Sequence, residues 1–135
     1  MKHIISFLAI ISSCICLASC QKIDTSVSLS GTEWYVEYGT QSSATLSFSD
    51  IEFSLTYTVK EKNDTWLPGE GYRLKGSYEY KYPEANLYCR TVEYMFNGKV
   101  ESVDKSNFEF SAIVVNDVLS LYEENELVAD FTLRK

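Results

Sequence analysis

Apolar and polar residues alternate with a period of two over most of the chain after residue 30. Phe53, Leu55, Tyr57 and Val59 interleave with Ser54, Thr56, Thr58 and Lys60. Tyr72, Leu74, Gly76, Tyr78, Tyr80 and Tyr82 interleave with Arg73, Lys75, Ser77, Glu79 and Lys81. Leu127, Ala129, Phe131 and Leu133 interleave with Val128, Asp130, Thr132 and Arg134. Successive side chains of a strand point to opposite faces, so each run predicts a strand with one buried and one wet face. Turn-forming residues separate the runs: Ser49-Asp50, Asn63-Asp64, Pro68-Gly69-Glu70-Gly71, Pro83-Glu84, Asn97-Gly98, Asn116-Asp117 and Glu124-Asn125. Asn97-Gly98 is the strongest hairpin signal among them, because a type I′ turn needs positive φ at both central residues.

Read between these turns, the pattern predicts about eight strands, near 33–39, 43–49, 51–60, 72–82, 86–96, 99–114, 117–123 and 126–134. The sixth is expected to be broken or bulged at Asp104 to Asn107, where polar residues interrupt the alternation. A single helical turn over 61–66 is the only helix the pattern allows. Short hairpins make sequential strands antiparallel neighbours, so the expected fold is all-β, an eight-stranded up-and-down barrel. Closure removes the exposed sheet edges. A two-sheet β-sandwich accommodates the same pattern and stays open as the alternative.

The N-terminal stretch follows a different rule. Met1-Lys2-His3 precedes an apolar run from Ile4 to Cys16, and Leu17-Ala18-Ser19-Cys20 closes it with the look of a bacterial lipobox. The run is shorter than the roughly 20 apolar residues of a spanning helix. Residues 1–19 are therefore expected to be a lipoprotein signal peptide. Cys20 is expected to be lipidated and to tie the protein to a membrane, with two or more acyl chains needed for stable anchoring. Residues 20–30, rich in serine, are expected to be a flexible tether, and 31–135 to form the barrel domain.

This processing changes the available chemistry. The only histidine is His3, and Cys14 and Cys16 are lost with the signal, leaving Cys89 as the one free thiol. No disulfide, no histidine-based triad and no imidazole zinc site then remains, and Cys89 is expected to be a small buried hydrophobe. No glycine-rich phosphate cradle is present either. The chain carries a net charge of −7, more negative by one without Lys2, which disfavours nucleic acid as a partner. Two carboxylate groupings come up for acid–base chemistry, Glu79 with Glu93 and Glu123-Glu124-Glu126. The first is expected to be cross-strand ion pairing, and the second a solvated hairpin tip without the spaced ligands of a calcium loop. No catalytic residue, metal site or cofactor is expected.

Tyrosine is unusually abundant, with ten in the chain. Tyr72, Tyr78, Tyr80 and Tyr82 share one strand face and form the candidate ligand or aromatic face. Such a face either fills a barrel interior or lines a cavity. Turned outward beside Trp66, Tyr88 and Tyr94, it would instead make a protein- or glycan-binding patch.

The lipobox, Leu29-Ser30-Gly31-Thr32-Glu33-Trp34 opening the first strand, Phe48 and Phe53 in the next pair, Gly76-Ser77-Tyr78-Glu79-Tyr80-Lys81-Tyr82-Pro83 in the middle and Phe131 near the end go together. In these features the chain resembles the small lipocalin-like (calycin-type) lipoproteins of the Bacteroidetes. Lipocalins proper carry Gly-x-Trp, whereas the spacing here is Gly31-x-x-Trp34. The resemblance implies that Trp34 packs to close one barrel end. The lipobox and the absence of histidine or a specific acid–base pair make a non-enzymatic protein of the cell envelope the expectation, at the outer membrane on its periplasmic or surface side. The expected function is binding of a small amphipathic ligand in or at the mouth of the barrel. The alternative is an interaction module, an inhibitor or accessory subunit of an envelope complex.

Overall fold

The computed structural model describes residues 24–40, 42–60, 66–96 and 99–135. Eight antiparallel strands close into one barrel in chain order: β1 (Glu33–Tyr38), β2 (Ser42–Phe48), β3 (Glu52–Lys60), β4 (Trp66–Lys81), β5 (Glu84–Phe96), β6 (Lys99–Val115), β7 (Val118–Glu123) and β8 (Glu126–Leu133). This is the up-and-down barrel that the alternation predicts, and not the two-sheet sandwich. The closing seam is short, with Trp34 opposite Leu133 and Tyr35 opposite Thr132. The backbone N–H of Arg134 extends it by donating to the carbonyl of Glu33 at 2.8 Å.

Inward positions follow the period of two. Trp34, Leu46, Leu87, Val114, Leu119, Leu121 and Phe131 are fully buried in one continuous core. Outward positions are mixed: Val103, Ile113, Val115 and Val118 are exposed, whereas Arg73 and Lys75 lie 3.6 and 3.9 Å from the Glu93 carboxylate across β4 and β5. Cys89 is buried in the core, and burial pushes its thiol pKa up, as befits an unreactive hydrophobe.

Bulges bend the strands where closure demands it. Thr91 pairs with Lys105 and Cys89 with Phe108, so β6 carries one extra residue around Ser106 and Asn107. The polar interruption expected at 104–107 is thus a bulge within one continuous strand. On β5 the extra residue is Arg90, opposite the step from Lys75 to Gly76. A side-chain carbon on Gly76 would stand 1.8 Å from the carbonyl oxygen of Tyr88, so only glycine lets β4 and β5 approach this closely.

The pattern misplaces three features. Strand β4 begins at Trp66, although Pro68-Gly69-Glu70-Gly71 reads as a turn. These residues sit instead at a strand irregularity between Thr58 and Lys60, where Gly71 adopts a φ of 131° close against the backbone of Tyr57. The β4–β5 turn is Tyr82–Pro83, joined by a cis peptide, because Lys81 already pairs with Glu84. On β8 the alternation slips at Val128, since Leu121 pairs with Ala129 but Tyr122 with Leu127. That slip leaves Leu127 55% exposed instead of on the buried face. The helical turn expected over 61–66 falls at 61–65 outside the described residues, as do Asn97-Gly98 and residues 1–23 with Cys20.

Candidate functional site

The two ends of the barrel are built differently. One end gathers the β2–β3, β4–β5 and β6–β7 turns and the segment that precedes β1. Composition makes Asp24 to Ser30 part of a tether, yet these residues pack across this end. Leu29, the apolar residue in a serine-rich stretch, is 1% exposed and joins the core. Its carbonyl accepts from the Thr32 hydroxyl at 2.6 Å, and Thr32 in turn accepts from Trp34 Nε1 at 2.9 Å. Trp34 is 0% exposed, so its indole donor is buried and satisfied in the same place.

Two of the four candidate tyrosines belong to this closed end. The Tyr78 hydroxyl donates to the Ser49 carbonyl at 2.6 Å, and the Tyr80 hydroxyl to the Thr25 carbonyl at 2.5 Å. Tyr78 also packs edge-on to Phe48. Burial, followed by the neighbouring Tyr82 and Asp24, pushes the Tyr80 pKa up to about 12. Burial and then Asp50 raise that of Tyr78. Both phenols are structural latches between the barrel and the turns that cover it. Tyr82 lies in the β4–β5 turn, 48% exposed, and so leaves the shared face.

Tyr72 points into the opposite end, where the described residues leave a cavity. There it stacks on Tyr57 with ring centroids 5.0 Å apart, and Tyr57 meets Tyr38 at 6.1 Å. Tyr94 is the register partner of Tyr72 on β5. Four neighbouring tyrosines thus rim this mouth from β1, β3, β4 and β5, and none of their hydroxyls bonds to another described residue. Burial first, then the adjacent phenols, raises the pKa of Tyr38 and Tyr72, so both stay protonated and neutral well above neutral pH.

Beneath the rim lies a cavity of about 390 Å³. Its body is apolar, with Leu55, Leu74, Val92, Phe110, Leu121 and Phe131 among the lining side chains. Phe108 and Phe110 pack edge to face within it. Val128 reaches the cavity because of the β8 bulge. Glu123, the last residue of β7, is the one charged side chain among the described residues that line it. A volume at the small end of the ligand-pocket range, apolar walls and a few polar groups at the entrance are the makings of a small-molecule site.

The candidate face therefore divides: Tyr72 is at the mouth, Tyr78 and Tyr80 at the closed end, and Tyr82 at a turn. The outward aromatic patch is not formed, because Tyr78, Tyr80 and Tyr94 occupy inward positions. Sequence reasoning overlooks Tyr38 and Tyr57 as rim partners. Their signal is position: each is an inward-parity tyrosine within a few residues of a hairpin at the same end. The carboxylate groupings also separate. Glu79 accepts from the Tyr88 hydroxyl and pairs with Asn86, whereas Glu93 pairs with Arg73, roughly 20 Å away along the strand. Glu124 and Asn125 have φ of 49° and 66°, the two left-handed positions of a tight hairpin turn. Among the described residues no group of three or more acidic, cysteine or histidine side chains is placed to hold a metal ion.

Comparison with protein-family models, with curated proteins and with solved structures gave no match.

Proposed function

We propose that this is a lipid-anchored, non-enzymatic protein of the bacterial cell envelope, held at the outer membrane by acyl groups on Cys20, whose barrel takes up a small amphipathic molecule through its tyrosine-rimmed mouth. The observation that carries the binding reading is the cavity of about 390 Å³, apolar within and hydroxyl-rich at the entrance. A closed-packed barrel needs no such space, since eight strands leave an interior that side chains fill. An apolar body entering it is driven by roughly 25 cal/mol for each Å² of apolar surface removed from water. The rim phenols, with no hydrogen-bond partner among the described residues, then suit a polar head group. The lipobox supports the anchor, and the outward ion pairs of Arg73 and Lys75 with Glu93 suit a barrel wall that meets water there.

Native mass spectrometry of the full-length protein extracted from its membrane tests both parts. The expected spectrum shows a covalent acyl mass on Cys20 and a non-covalent small-molecule adduct. The adduct is expected to vanish in Ala44→Phe, which puts a ring into the cavity from β2. Cys20→Ala is expected to shift the protein to the soluble fraction. A wild-type protein with no adduct, and no uptake of a neutral apolar probe such as 1-naphthylmethanol, would overturn the binding reading.

A further inference from the structure

Granting that the mouth is a ligand site, we infer that it selects by charge, taking organic cations and neutral alcohols on an apolar body and rejecting the matching carboxylates. Among the described residues that line the cavity there is no lysine or arginine, and Glu123 supplies the only charge. A carboxylate head losing its water here would find phenol hydroxyls for hydrogen bonding but no counter-charge among the described lining residues, and it would face Glu123. A positive head finds the reverse.

Two features of the rim favour the cation independently. The first is Glu123 itself, exposed at the end of β7, where an ion pair with an ammonium head forms in water-rich surroundings. The second is the tyrosine rim. Aromatic ring faces carry negative potential, and a cation within about 6 Å of a tyrosine ring centroid is drawn to it. Tyr38, Tyr57, Tyr72 and Tyr94 place four such rings around one entrance. The net charge of −7 adds a long-range bias that gathers cations near the domain and weakens with salt. An exposed ion pair and a cation–π contact are each worth about two- to fivefold in affinity, so together they favour a cation over a neutral head by about tenfold.

Three probes with one naphthalene body isolate the head group: 1-naphthylmethylamine as its ammonium ion, 1-naphthylmethanol and 1-naphthoate. Binding to the full-length, lipidated protein is read from probe fluorescence anisotropy, with a protein-free micelle blank. The expected order is ammonium, then alcohol, then carboxylate, with the first about tenfold tighter than the second. Glu123→Gln is expected to shrink that ammonium-to-alcohol ratio to about threefold, and Tyr72→Leu is expected to reduce it separately. Carboxylate binding as tight as ammonium, alongside normal alcohol binding, would overturn charge selection while leaving the ligand site intact. No binding of any probe would remove the site and the selection together.

Discussion

The closed end and the open mouth are both built from inward-facing tyrosines, yet they use them in opposite ways. At the closed end Tyr78 and Tyr80 spend their hydroxyls on the carbonyls of Ser49 and Thr25. Leu29, Thr32 and Trp34 complete a buried, hydrogen-bonded plug beside them. At the mouth Tyr38, Tyr57 and Tyr72 pack ring against ring with Tyr94 beside them, and all four stay partly exposed and keep their hydroxyls free of described protein partners. A tyrosine that has found a backbone carbonyl contributes to stability. One that has not is available to something arriving from solution. The same residue type on the same strand face thus serves the fold at one end and, in the function proposed, recognition at the other.

The contrast predicts unequal costs. Trp34→Ala removes the largest fully buried side chain and should lower unfolding free energy by about 3–5 kcal/mol in urea denaturation. Tyr72→Ala, at a rim position 38% exposed, should cost less than about 1.5 kcal/mol in the same assay. Equal losses would erase the distinction between the ends. Gly76→Ala sharpens it from the middle of β4, between the two ends. The added carbon collides with backbone, which cannot swing aside, so a loss of about 2–3 kcal/mol is expected.

The Tyr80 latch adds a pH dependence at high pH. Its phenol titrates near 12 in the folded protein against 10.0 ordinarily. The unfolded chain therefore releases this proton first as pH rises. The latch's contribution is fully present below about pH 10 and is lost as pH climbs through about 12. Tyr80→Phe should flatten the fall in unfolding midpoint across that window, followed by denaturation at stepped pH. An unchanged slope would show that Tyr80 titrates as freely as an exposed phenol.

Much of this molecule was legible before its structure. Alternation assigned Phe53, Leu55 and Tyr57 to the inside, and turn residues separated eight strands whose order follows from short hairpins alone. The division between the ends was not legible. A period of two says which face a side chain takes, but not how far along the barrel it lies, and that depends on strand tilt and stagger. Tyr72 and Tyr78 therefore look equivalent in sequence and sit at opposite ends. Bulges hide for a related reason. An extra residue at Val128 changes the pairing with β7, a relation between strands that neither strand's own pattern contains. Leu29 was obscured by its serine neighbours, because a single apolar anchor leaves no periodic trace.

Amide hydrogen exchange on the membrane-extracted protein, with and without 1-naphthylmethanol, tests the two-ended account most directly. In the free protein the amides of Gly31, Phe48 and Val114, all bonded across the closed end, should exchange only through global unfolding. Those around Tyr38, Tyr57, Tyr72 and Tyr94 should exchange faster. The probe should then slow the mouth amides by more than it slows the closed end. Protection that is uniform along the barrel, or a probe footprint centred on Leu29 and Tyr80, would contradict the assignment of binding to the mouth.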